Sequence, residues 1–219
     1  MDIGTAFKKP FTDIKLLIIG IILTIIPVIN ILTIPGYFLR IAKNTMAGDN
    51  KLPKFDNFGG LVVESIKAIV VGIIYMIIMM IVAAILGLIP LIGGVLSLIW
   101  MIVFAFVMIS GMMTLAQTGD IGKALNIPDL FKKAKRANFI IAVIVGAIIV
   151  GIIMAIIMSV LLGATLFAML PALMTGNLMA LQGSIMSIVG VVAVGGIVGL
   201  IVGYVLEVFY VTLVAESYK

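Results

Sequence analysis

The sequence predicts an all-α fold: a polytopic transmembrane bundle of about six membrane helices, built as three hairpins with amphipathic interfacial helices. Three observations carry that expectation. Apolar residues make up 64% of the 219-residue chain and charged residues 11%. A soluble fold carries about 25% charged residues to cover its surface. Residues 16–39, 68–119 and 137–206 carry no charge, and all 23 charged residues lie outside these three stretches. Two of the stretches, at 52 and 70 residues, far exceed the roughly 20 residues that one crossing needs, so each must fold back.

The composition excludes a soluble globular domain, a disordered chain and a disulfide scaffold. The chain has no His and no Cys, which removes the commonest general base, the commonest metal ligand and every thiol nucleophile. It contains no Walker-type or G-x-G-x-x-G phosphate loop and no zinc-ligand spacing. The net charge of +5 fits anionic lipid headgroups, because the basic residues cluster beside the apolar stretches.

The chain opens with Ile3, Phe7, Phe11 and Ile14 near one face and Lys8, Lys9 and Lys15 elsewhere, the pattern of a helix lying in the headgroup plane. Residues 16–39 could form one span or a short hairpin. Residues 21–34 read IILTIIPVINILTI and residues 84–98 read AILGLIPLIGGVLSL, sharing ILxxIPxI. The second copy lies mid-stretch, where Pro90-Leu91-Ile92-Gly93-Gly94 supplies a turn, so the first is read as a turn at Pro27 as well. Phe55, Phe58, Val62 and Ile66 outline a second interfacial helix before residues 68–119. Ile127, Leu130, Phe131 and Ala134 outline a third before residues 137–206. Pro171, Thr175, Gly176, Asn177 and Gln182 mark the last turn. The whole is a single integral-membrane domain, residues 1–219, with pseudo-repeats near 1–50, 51–119 and 120–219.

Three hairpins bring every charged block to one face. Thirteen of the fourteen Lys and Arg precede residue 137, so the positive-inside rule makes that face cytoplasmic. The expectation is a multi-pass protein of the cell membrane with both termini inside. A rival with five spans puts the N-terminus, with Lys8, Lys9 and Lys15, outside. No signal-peptidase-like site follows the first apolar run, so that run is read as retained.

Glu207 is the one acid far from a polar block. Arg40, also in apolar context, is its expected partner, forming an intramembrane charge pair. Gly195, Gly199 and Gly203 recur every fourth residue, as do Ala147, Gly151 and Ala155 (continuing through Ser159 and Gly163), and such stripes let helices approach closely. The expectation is that they pack on each other within the chain, with self-association through an outward side as the sharper alternative. Fifteen Met residues, among them Met76, Met79, Met80, Met112 and Met113, read as adaptable apolar filler rather than copper ligands, since no His or Cys accompanies them. No metal or cofactor is expected.

The N-terminal third carries Ile3-Gly4-x-Ala6, Pro10-Phe11-x-Asp13, Ile26-Pro27-x-x-Asn30, Gly36-Tyr37-x-x-Arg40 and Gly48-Asp49-x-x-Leu52-Pro53-x-Phe55-Asp56-x-Phe58. In these motifs, over roughly residues 1–70, it resembles an uncharacterised, mostly archaeal family of polytopic membrane proteins classed as a domain of unknown function. The resemblance implies a multi-pass membrane protein and lends no catalytic residue. A looser, architectural similarity is to the membrane domains attached to some glycerophosphodiester phosphodiesterases.

The functional expectation is a non-catalytic membrane component that organises lipid or a partner protein. Its partners would be membrane lipids, a second copy or a membrane protein, and not nucleic acid. The alternative is a small-solute or ion transporter or channel with Glu207 in its pathway. An enzyme is not expected, because nine acids without His assemble no acid–base pair in a pocket.

Overall fold

The computed structural model describes residues 2–175 and 178–218. Among them the chain is helical, with no strand. The helices are α1 (Ile3–Lys8), α2 (Ile14–Ile25), α3 (Pro27–Met46), α4 (Phe58–Gly87), α5 (Gly93–Thr118), α6 (Ile121–Ala124), α7 (Ile127–Ala134), α8 (Ala137–Thr175) and α9 (Leu178–Ser217), with a 3-10 turn over Lys9–Phe11. Four of them, α4, α5, α8 and α9, are long and apolar enough to cross a membrane. α2, with 12 residues, extends about 18 Å, short of a hydrocarbon core of about 30 Å.

Acidic and amide residues of the polar blocks start the helices. Asp2 accepts from the Gly4 and Thr5 amides, Asp13 from Leu16, Asn57 from Gly60 and Asp120 from Gly122 and Lys123. Each satisfies N–H groups that the first helical turn leaves open. Thr5, through its hydroxyl and its amide, also holds the Asp2 carboxyl below the usual carboxylate range.

Both ILxxIPxI copies mark chain reversals. Ile26 is extended and α3 starts at Pro27, where a missing N–H costs nothing. Just before α2, Lys9 donates from Nζ to the Thr45 hydroxyl and the Asp49 carbonyl. The Thr12 hydroxyl accepts from the Leu52 amide. The chain therefore leaves and returns at one end. At the second copy, α4 ends at Gly87 and α5 begins at Gly93, and Leu91 takes a positive φ of 67° at the tip. The pair runs antiparallel: Ser97 donates to the Ala83 carbonyl near the tip, and Lys67 donates to the Gly119 carbonyl at the base.

α8 and α9 are also antiparallel, with Gly146 beside Tyr210 and Gly195 beside Leu161. At 39 and 40 residues each reaches about 60 Å, twice what one crossing requires. Pro171, expected at the turn, lies within α8, and Gln182 lies within α9. Gly176 and Asn177, the centre of that expected turn, lie outside the described residues.

The interfacial helices differ from one another. α1 is only six residues long and leaves Ile3, Phe7 and, just beyond it, Phe11 exposed, while Ile14, the fourth position expected on that face, starts α2, and Lys9, expected on the polar side, is buried. The second is not a separate helix: Phe58, Val62 and Ile66 form the first turns of the continuous α4, and Phe55 stacks on Tyr37. The third forms as α7, yet its apolar face is covered by protein. Leu130 and Ala134 are buried in the core shared by α5, α8 and α9, and the Ser110 hydroxyl donates to the Leu130 carbonyl at 3.4 Å.

Close approach at glycine sets the α3–α4 contact. A Cβ on Gly36 would collide with the Leu61 carbonyl, and its amide donates to Ser65 Oγ at 2.8 Å. The C-terminal end of α9 is fixed to α5, where the Tyr218 hydroxyl lies 2.8 Å from both Ser110 Oγ and Thr114 Oγ1. Between Tyr218 and Tyr204, which fills the space beside Gly20, α9 passes from α5 across to α2.

Candidate functional site

The expected Glu207–Arg40 pair does not form. Arg40 donates from Nε to Glu64 Oε2 at 2.6 Å, lies 3.6 Å from Asp56 Oδ1, and donates to the Asp56 carbonyl at 2.9 Å. The Gly36 approach explains the choice. Arg40 follows Gly36 by one turn on α3, Glu64 precedes Ser65 on α4, and so both reach the same α3–α4 seam. Sequence reasoning missed Glu64 because it sits in a charged block between Asp56 and Lys67, where nothing marks one acid as the partner of Arg40.

Glu207 stands apart. Among the described residues, each of the other eight acids caps a helix, accepts another hydrogen bond or joins an ion pair. Glu207 does none of these and is exposed on the outer face of α9.

The small-residue stripes are mostly uncovered, and Gly199 lines an open groove between α8 and α9. Ala147, Gly151 and Ala155 are exposed, and nothing lies within 4 Å of where a Cβ would stand on Gly151, Gly199 or Gly203. Gly195 alone of the α9 stripe packs on α8, through Leu161. The two stripes therefore do not meet as expected. Where α8 and α9 come close, a glycine on one meets a bulky side chain on the other, Gly146 with Tyr210 and Gly195 with Leu161, and an apolar furrow of about 550 Å³ remains between Ile156, Val160, Leu161 and Val194.

The methionines are dispersed: Met76 and Met80 are exposed, whereas Met113 is buried. Among the described residues no group of three or more acids, His or Cys could hold a metal ion.

The polar concavities lie at the base of the bundle. One, of about 140 Å³, is bounded by Arg40, Lys43, Glu64 and Lys67 with Leu115 and Thr118. A second, of about 420 Å³, lies under the 48–57 loop between Arg40, Asn44, Lys51 and Asp56.

These features define an all-helical protein with four helices fit to cross a membrane. The chain belongs to the family described as "Protein of unknown function (DUF4013)", whose model matches residues 19–163. The match bears out the domain of unknown function; it covers the motifs from Ile26 onward and continues to residue 163, while the Ile3–Asp13 motifs lie before it. It does not speak to an archaeal distribution or to the phosphodiesterase-associated membrane domains. No curated protein and no solved structure matches the chain.

Proposed function

We propose that this protein is a non-catalytic, multi-pass component of the cell membrane that organises lipid or a partner protein. The observation that carries this reading is where its polar groups lie. The charged side chains concentrate at the base, where they cap helices and pair with one another. The outer halves of α8 and α9 expose Ile152, Ile156, Val189, Val192 and Ile197, a surface that hydrocarbon would cover. In this reading the three hairpins make six membrane-inserted helices in a single domain, with α2 entering only part-way. The basic blocks and both termini are cytoplasmic.

A transporter is the second reading, and Glu207 is the observation that favours it. A carboxylate within an apolar helix is costly unless it is used. The two separate in proteoliposomes. Purified protein should pass protons and small ions at the rate of protein-free vesicles, and Glu207→Gln should change nothing. A flux that Glu207→Gln abolishes would replace the first reading with the second.

A further inference from the structure

The geometry points to a binding site for an anionic phospholipid at the α3–α4–α5 seam, with its phosphate between Lys43 and Lys67 and an acyl chain along Leu39. This deepens the lipid-organising reading and rests on it. Two adjoining concavities make up the site. The charged cleft at the base brings Arg40, Lys43 and Lys67 against a single carboxylate, Glu64. One turn further along the same helices lies an apolar trough of about 330 Å³, formed by Phe38, Leu39, Ala68, Ile69, Met112 and Met113. Leu39 lines both.

The hydrogen-bond inventory says which cations are available. Arg40 is committed to Glu64 and to the Asp56 carbonyl. Lys67 places one N–H on the Gly119 carbonyl, leaving two of its three donors. Lys43 is exposed and, among the described residues, makes no hydrogen bond or ion pair. With Glu64 neutralised by Arg40, the cleft presents two ammonium groups to an incoming anion. A free phosphate would be served by the lysines alone. The trough distinguishes the ligand, since its apolar wall begins at Leu39, where the charged cleft ends, as an acyl chain begins where a headgroup ends. Basic pockets between membrane helices hold anionic headgroups in this way.

The test uses the full chain purified in detergent. Binding of phosphatidylglycerol, phosphatidylcholine and soluble glycerol phosphate is measured by native mass spectrometry and by the shift in melting temperature. Phosphatidylglycerol should bind at least about tenfold more tightly than phosphatidylcholine, and Lys43→Glu with Lys67→Gln should erase that preference. Lys135→Glu, an exposed charge change on the α7–α8 linker, should keep it. Equal loss in Lys135→Glu would mean diffuse attraction and overturn the site. Glycerol phosphate matching the lipid's effect would make it a free-phosphate site and overturn the lipid assignment. Should the double variant fail to fold, a phosphatidylglycerol with a photoreactive acyl chain tests the wild-type protein. Crosslinks should map to Ile69, Met112 and Met113, and crosslinks confined to α8 and α9 would overturn the proposal. An ion flux would sink the non-catalytic reading while leaving these binding results to stand or fall by themselves.

Discussion

Arg40 and Glu64 meet at 2.6 Å across the α3–α4 seam, one turn below the point where Gly36 lets the two backbones touch. The pair is partly exposed, with side-chain exposures of 16% and 38%. It therefore lies between a weak surface bridge and a costly buried one. A double-mutant cycle should show it. Arg40→Gln and Glu64→Gln should each lower the melting temperature in detergent, with a coupling of about 1 kcal/mol between them. Arg40→Gln combined with Glu207→Gln should be additive. Coupling in the second cycle and none in the first would restore the pairing that the sequence suggested.

Gly36 and Gly199 should respond to substitution with opposite sign. Alanine gains about 1 kcal/mol over glycine in an open helix, and Gly199 faces open space. Gly199→Ala should therefore leave the melting temperature unchanged or raise it. At Gly36 the obstacle is the Leu61 carbonyl and the Ser65 amide of α4, which cannot rotate away as a side-chain end can. Gly36→Ala should cost about 1–3 kcal/mol. If Gly199→Leu instead dissolves an oligomer at constant melting temperature, the uncovered stripe is a contact between copies.

Tyr218 anchors the C-terminal end of α9 to α5. Tyr218→Phe keeps the ring against Phe139 but removes the hydroxyl that meets Ser110 and Thr114. Those buried partners each lose a bond, so the cost should be about 1–2 kcal/mol. Protease digestion should expose the C-terminus sooner. Unaltered stability and digestion would show that the hydroxyl network does not hold the end of α9.

The proposed topology is tested against a background with no native Cys. Lys8, Asn50 and Lys123 are exposed at the base, and Leu91 is fully exposed at the α4–α5 tip. In intact cells an impermeant thiol reagent should label Leu91→Cys and spare Lys8→Cys, Asn50→Cys and Lys123→Cys. Labelling of Lys8→Cys together with Leu91→Cys, with Asn50→Cys and Lys123→Cys spared, would favour five spans with the N-terminus outside.

Much of the fold was legible because its signals are local. A Pro at a break, an Asp before a helix and the Gly119 cap at φ 67° act within a few residues, so ILxxIPxI marked both reversals before any contact was known. The candidate site was less legible. Arg40 reads as a charge in apolar context, and the structure places it among Glu64, Asp56, Lys43 and Lys67. Its partner was not legible, because pairing between residues 24 apart in sequence depends on the register of two antiparallel helices. The close approach at Gly36 and Ser65 helps to fix that register.

The sequence by itself determined the helical class, the apolar stretches and their breaks, because hydrophobicity and backbone sterics are properties of neighbouring residues. The tertiary structure decided which face of each helix is covered. It buried the apolar side of α7 against α5, left Gly199 and Gly203 without a close neighbour, turned Glu207 outward, and joined Lys43 and Lys67 at one cleft. Each of these outcomes depends on how the helices rotate and cross against their neighbours. Helix rotation and crossing are settled by side-chain packing across the whole bundle, and every fourth-residue pattern in the sequence is compatible with more than one such arrangement.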